Sequence, residues 1–238
     1  VHPPRVGEHD VVDDAKHEGS ALAPRAEGAV GLLVAHEQRG LAVEAVELTA
    51  EALFPAAAAV VLLGPATDDG PASARDLYAA APGAVERVES SGAVAYTVHA
   101  LPPAVAPPPV EPLPAPALLA NFARIVGHNP LRFGPDGAVW DLFWRTADTP
   151  DAVDYHIFNH LLDASGARVS QADAAAFAGQ QWRAGDVVVS RFVLPVPGDV
   201  APPLTMRVGM YRFPSLESVP VLDEAANPAS DFVEIPLE

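Results

Sequence analysis

The stretch YHIFNHLLDASGARVSQAD, Tyr155 to Asp173, decides how this chain is read. His156 and His160 stand four residues apart, and on a helix they would share a face, as the histidines of a zinc-protease motif do. That motif needs a glutamate beside the first histidine, and the position holds Ile157. The stretch then meets DASG, Asp163 to Gly166, a turn sequence, and resumes as ARVSQAD. A strand, a turn and a second strand account for both arms. On a strand the two histidines still share a face but lie about 13 Å apart. A single ion with bonds near ~2 Å does not reach both. A hairpin is expected, with His160 packed or hydrogen-bonded in a sandwich and no metal held between the histidines.

The neighbouring stretches have the same form. AVWDLFWRT, DVVVSRFVLPV and LTMRVGMYRF are short strand-like runs divided by Gly, Pro, Asp and Asn. QADAAAFAGQQW is the one tract there with room for a helical turn. Such punctuation predicts an antiparallel β-sandwich over residues 118–238.

Upstream lies LPPAVAPPPVEPLPAPA, residues 101–117, where eight of seventeen residues are proline. Proline fixes φ and biases its predecessor towards extended backbone, so this stretch is expected to be a polyproline-like linker. Before it, AVGLLVA and AAVVLLGP read as buried strands. LAVEAVELTAEALF carries Glu44, Glu47 and Glu51 at helical spacing, and GPASARDLYAAAPG reads as a short helix stopped at Pro82 and Gly83. AVERVES and AVAYTVHA, divided by Ser90, Ser91 and Gly92, read as a hairpin. Strands alternating with helices predict a small α/β layer over residues 1–100, with part of its sheet parallel. The expected fold class is α/β plus all-β.

The 238 residues carry a formal charge of -17, which opposes nucleic-acid binding and simple adhesion to anionic lipid. No cysteine is present, which removes disulfides, thiolate metal sites and a cysteine nucleophile. The longest apolar run, ALFPAAAAVVLLGPA, is shorter than the ~20 residues of a membrane span. Val1 stands where a methionine would begin a nascent chain, so a processed product or a fragment is expected.

Few residues carry recognisable chemistry. His9, Asp10, Asp13, Asp14, His17 and Glu18 gather near the N-terminus, but at the spacing of no strong metal motif, and read as a solvated helix. Asp148, Asp151 and Asp154 offer carboxylates to calcium or keep a turn hydrated, and the turn is favoured. No nucleophile elbow and no glycine-rich phosphate loop appears in the sequence. Catalytic, cofactor and metal residues are thus assigned to none. Trp140, Trp144 and Trp182 are the candidate glycan-contact residues, since aromatic faces stack on sugars. Leu142 between the first two argues that their shared face is core, while Trp182 is expected to be partly exposed.

The run Tyr155, Phe158, His160, Leu161, Leu162, Asp163, Gly166, Val169, Gln171 and Asp173 resembles a hairpin of bacterial multi-span, protein-mannosyltransferase-like glycosyltransferases that use polyprenyl-phosphate sugars. There the hairpin lies in the soluble C-terminal region after the last membrane helix. ANFARIVGHN resembles the opening strand of that region, with Gly127-His128 where the family often has Gly-Tyr. QQWRAGDVVVSRFVLPVPGDVAPPLTMRVGMY resembles its tryptophan, turn and late strands, with Ala184 in place of a proline. VPVLDEAANP resembles its penultimate turn, and the first half matches more loosely.

The resemblance implies an extracytoplasmic accessory ectodomain, membrane-associated through missing upstream segments or a partner. It does not bring catalysis, because the family's catalytic acids and lipid-sugar site lie in its membrane region, so the enzyme question rests with a parent protein. The expected role is contact with an acceptor or glycan, or packing on the parent membrane domain. The alternatives are a structural subunit of a surface assembly and a free carbohydrate-binding module.

Overall fold

A computed structural model describes residues 31–36, 44–47, 51–56, 59–63, 76–79, 85–88, 91–92, 94–101, 106–135, 137–148, 153–175, 182–196 and 200–237. In chain order its first strands are β1 (Gly31–His36), β2 (Glu44–Glu47), β3 (Glu51–Phe54), β4 (Ala59–Leu63), β5 (Val85–Val88) and β6 (Val94–Leu101). A short helix, α1 (Asp76–Ala79), lies between β4 and β5. Next come β7 (Glu111–Leu118), β8 (Ala123–His128), β9 (Arg132–Gly134), β10 (Gly137–Thr146), β11 (Asp154–Leu162) and β12 (Arg168–Ala175). The chain closes with β13 (Val187–Leu194), β14 (Leu204–Phe213), β15 (Ser218–Val219), β16 (Val221–Leu222), β17 (Pro228–Ser230) and β18 (Val233–Leu237).

Tyr155–Asp173 is a hairpin. β11 pairs with β12 antiparallel, from His156 opposite Ala175 to Leu162 opposite Arg168. The turn closes on Asp163, whose Oδ1 accepts hydrogen bonds from Ser165 N at 2.8 Å, Ser165 Oγ at 2.7 Å and Ala167 N at 3.0 Å. Gly166 takes the left-handed backbone the turn needs, at φ +79°. Along β11 the period of two is plain: Tyr155, Ile157, Asn159 and Leu161 are buried, while His156, Phe158 and His160 are half-buried on the other face.

Two sheets form the sandwich. One has the order β3-β13-β10-β8-β7, with β9 also on β10. The other has the order β12-β11-β14-β15, with β18 sharing the far edge of β14. Between them lie Trp140, Leu142 and Trp144 of β10, Val188 and Phe192 of β13, and Ile157, Leu161, Met206, Val208 and Met210 of the opposing sheet. Trp140 Nε1 donates across the gap to Asn159 Oδ1 at 3.1 Å, and Trp144 Nε1 donates to Ser190 Oγ at 2.9 Å. Trp182 closes one end, its ring 4.6 Å from that of Trp144 and 5.4 Å from that of Tyr155.

The first half differs from the expected α/β layer. LAVEAVELTAEALF contains β2 and β3 where a helix was expected, while the described part of GPASARDLYAAAPG, Asp76–Ala79, is helical as expected. The sheet β2-β1-β4-β6-β5 pairs antiparallel throughout, including the expected β5–β6 hairpin with Gly92 at φ +88°. Non-local pairing overrode helical spacing: β3 lies beside β13, from Phe54 opposite Val187 to Glu51 opposite Ser190. Glu51, expected to share a helical face with Glu44 and Glu47, is buried and accepts a hydrogen bond from Ser190 Oγ. A strand from the first hundred residues thus belongs to a sheet of the sandwich. Pro82 and Gly83, and residues 176–181 of the tract with room for a helical turn, lie outside the described residues; Gln171–Ala175 of that tract belong to β12.

The proline tract also differs from a spacer. Glu111–Leu118 is the edge strand β7, paired with β8 at both ends and with a register break between Pro112 and Ala117. Pro112, Pro114 and Pro116 are exposed there. An edge strand needs donors on one side only, so prolines are tolerated and leave fewer N–H groups for a foreign strand.

The outer face of β10 is sealed by charge. Arg191 donates from Nε to Asp141 Oδ1 at 2.6 Å, from Nη2 to Asp141 Oδ2 at 3.1 Å, and from Nη1 to Asp76 Oδ1 of α1 at 2.6 Å. Asn129 Nδ2 and Arg132 Nη2 also reach Asp141 Oδ2, at 3.1 and 3.2 Å. Burial alone would raise the Asp141 pKa, but the bonds and charge of Arg191, with Asn129 and Arg132, hold it below the ordinary carboxylate range. Beside this cluster Tyr78 of α1 is buried; its hydroxyl accepts from Leu53 N at 2.6 Å and donates to Leu53 O at 3.1 Å. Burial pushes its pKa far up, so the phenol stays un-ionised.

Asp141→Ala is expected to cost about 3–5 kcal/mol in chemical unfolding, because buried Arg191 would lose its main counter-charge. The folded pKa of Asp141 is depressed, so its contribution is present above the ordinary value of 3.8 and is lost as pH falls through the folded pKa. The gap between wild type and variant should therefore hold steady near neutral pH and narrow only in acid.

Candidate binding face on the outer sheet

The side of β11 turned away from the core meets the matching side of β14. His156 lies opposite Tyr211, Phe158 opposite Gly209 and His160 opposite Arg207. On the other flank, Phe158 lies opposite Asp173 and His160 opposite Gln171 of β12. Cross-strand partners share a face, so one surface collects side chains from three strands.

Its centre is a row of rings. His156 stacks on Phe213 at 4.5 Å and 15°. It also tilts against Tyr211 at 5.4 Å, with Tyr211 Oη 3.3 Å from His156 Nδ1. Phe158 stands 6.5 Å from Tyr211 and 5.0 Å from His160. Gly209 makes the row possible: a Cβ there would overlap the Phe158 ring and come within 2.6 Å of Asp231 O. The ring of Phe158 thus lies where any other residue would place its side chain. At the end of the row Phe213 is 47% exposed, enough to leave much of its ring open to a ligand.

Polar groups fringe the rings. Arg207 sits 4.3 Å over the Phe232 ring and bonds Glu234 Oε1 through Nη2 at 2.8 Å. Arg168 Nη1 approaches His160 Nε2 at 3.5 Å, and Asp173 and Gln171 are exposed. Partial burial, then the Arg168 and Arg207 charges, lower the His160 pKa, with Asp173 opposing. Burial and then Asp173 raise that of Tyr211. Near neutral pH His160 and Tyr211 are therefore uncharged, while hydrogen-bonding groups of both signs stand at the rim. Such a surface offers stacking to an apolar ring face and hydrogen bonds to hydroxyls around it.

The tryptophans lie elsewhere. Trp140, Trp144 and Trp182 are 0%, 1% and 1% exposed, so none offers a ring to a ligand, and Trp182 corrects its expected partial exposure. Each packs where the two sheets converge. His160 packs against Phe158 on the outer face. Asp148 is exposed just past β10 and Asp154 opens β11, while Asp151 and the N-terminal group from His9 to Glu18 lie outside the described residues. Among the described residues no group of three His, Asp or Glu side chains is placed to hold a metal ion. A void of about 10 Å³ between the sheets, walled by Ile125, Leu142, Ile157 and Met210 among others, has room for little more than water.

Phe158, Tyr211 and Phe213 were not among the candidate residues named from the sequence. The signal was the H-x-F-x-H alternation from His156 to His160, which places three rings on one face in a chain of 7% aromatics. No protein-family model, curated protein or solved structure matches the chain.

Gly209→Ala should lower stability by about 1–3 kcal/mol, since the added methyl has no space. Thermal unfolding of the purified variant checks this, and an unchanged midpoint would show that Phe158 does not lie on Gly209.

Proposed function

We propose that this chain is a non-catalytic extracytoplasmic accessory ectodomain whose β11–β14 face contacts a glycan or a glycosylated acceptor. The observation that carries this reading is the row of rings from His160 through Phe158, Tyr211 and His156 to Phe213, with Arg168, Gln171, Asp173 and Arg207 at its rim. Pyranose rings carry apolar C–H faces and equatorial hydroxyls, and a flat aromatic strip with hydrogen-bonding edges matches both. The row also spans several residues of strand, which suits more than one sugar unit.

The resemblance of Tyr155–Asp173 and the later strands to the C-terminal region of membrane glycosyltransferases supports the same reading, since contact with an acceptor or glycan is one of the roles that resemblance implies, beside packing on the parent. Two clusters of buried polar groups are engaged in structure: Asp141 and Arg191 bind each other, and Glu51, Ser190 and Trp144 form a chain of hydrogen bonds.

A glycan array probed with the whole chain, followed by calorimetry on the best ligand, tests the proposal. Tyr211→Ala and Phe158→Ala are each expected to weaken binding roughly tenfold, the worth of one stacked ring. Binding should be level through neutral pH and fall once His160 protonates, below its ordinary 6.5, because a charged imidazole beside Arg168 and Arg207 repels them. No binder on the array, together with a stable complex between copies or with another protein, would replace this reading with that of an assembly subunit.

A further inference from the structure

The end of the sandwich where β10 stops is built unlike the rest. Thr146 closes β10 opposite Ala123, which opens β8, and Asp154 opens β11 opposite Phe213 of β14. The turn at Phe122, the segment at Trp182–Asp186 and the β14–β15 hairpin tip at Leu216 therefore lie at one end. Phe122 is 43% exposed and Leu216 67% exposed, with Phe213 beside them at the edge of the aromatic row.

Both turn residues hold a conformation that disfavours them. Phe122 has φ +69° and Leu216 φ +61°, the left-handed region that Gly, Asn or Asp ordinarily fills. Backbone bonds enforce it: Phe122 N donates to Leu119 O at 2.9 Å and Ala147 N to Phe122 O at 2.8 Å. In the hairpin, Leu216 N donates to Arg212 O at 2.8 Å and Arg212 N to Glu217 O at 2.9 Å. A large apolar side chain that is both strained and wet contributes little to folding, and such strain gathers at functional positions.

Cations stand behind these tips. Arg124 and Arg145 are cross-strand neighbours and exposed, Arg183 is exposed, and the Arg212 guanidinium lies 6.0 Å from the Tyr155 ring centroid. Among the described residues, four arginines thus lie near the strand ends here, with exposed Asp148, Asp154 and Glu217 close to them in the chain, in a protein with 31 acidic residues.

We infer that this end docks on an anionic phospholipid surface, with Phe122 and Leu216 entering the boundary between headgroups and acyl chains and the arginines meeting lipid phosphates. Two separate protruding tips suit a fluid surface that closes around each, whereas a protein partner would need a matching pocket for both. Guanidinium pairs with phosphate in a bidentate fork. The charge of -17 repels such a surface from afar, but that repulsion is screened beyond about 8 Å at physiological salt, so the local arginines decide the contact. No helix of the described residues is long and apolar enough to cross a membrane, and none is needed for this attachment.

Co-sedimentation of the whole chain with vesicles of equimolar phosphatidylglycerol and phosphatidylcholine tests the inference, with phosphatidylcholine alone as comparison. The wild type should sediment with the anionic vesicles and bind the neutral ones several-fold more weakly. Phe122→Asn with Leu216→Asn suits both backbones, so the variant should fold at least as well, keep its tryptophan emission, and lose about tenfold or more in vesicle binding. Arg124→Glu with Arg145→Glu should lose a similar factor on the anionic vesicles alone. A wild type that stays in the supernatant, or an asparagine variant that sediments equally, overturns the inference. So does a wild-type dimer that the asparagine pair turns into monomer, which would make this end an interface between copies. Tyr211→Ala should bind vesicles as the wild type does, so glycan contact and lipid docking stand or fall separately.

Discussion

Strand β10 has no free face between Trp140 and Trp144, and the rest of the sandwich is arranged around that constraint. On one side Trp140, Leu142 and Trp144 fill the space between the sheets; on the other, Asp141 is buried among Arg191, Asn129 and Arg132. A carboxylate so deep is tolerated only with its charge matched and its lone pairs filled. Matching it draws in Arg191 of β13, and through Arg191 it draws in Asp76 of α1. The first half of the chain is tied to the second at this point, and again where β3 adds to β13.

With the large rings of β10 committed to the interior, the row of rings that reaches the surface lies on the outer side of the opposite sheet. There the period of two that buries Tyr155, Ile157 and Asn159 must turn His156, Phe158 and His160 outward. Gly209 then lets Phe158 lie flat across the neighbouring strand, and Tyr211 and Phe213 complete the row. The same alternation thus builds the core and the proposed binding face. The strained tip at Leu216 stands in the hairpin that follows Phe213, at the end of the row.

Much of the sandwich was legible because its signals are local. DASG marks a turn, and the arms beside it alternate, so the β11–β12 hairpin follows from a few residues. The first half was misread where local and non-local signals compete. Glu44, Glu47 and Glu51 fit a helical face, yet Glu51 is drawn inward by Ser190, which lies far away in sequence. Proline density told of the extended backbone seen at Glu111–Leu118 but not that this strand has a partner in β8. For the tryptophans the shared face of Trp140 and Trp144 was readable, and Leu142 hinted that it was covered. Trp182 gave no such hint, since only the meeting of Trp144 and Tyr155 buries it. Phe158 could have been found from the outward parity of β11. Tyr211 and Phe213 could not, because their place depends on the register of β14.

Whether the tryptophans are core or platform decides which surface is available for recognition. Iodide quenching of intrinsic fluorescence measures this directly, since the sequence holds three tryptophans and all three are described. With Trp140, Trp144 and Trp182 at 0%, 1% and 1% exposure, emission should be blue-shifted and nearly insensitive to iodide until the protein is unfolded. Strong quenching of the folded protein would put at least one indole at the surface and contradict the account.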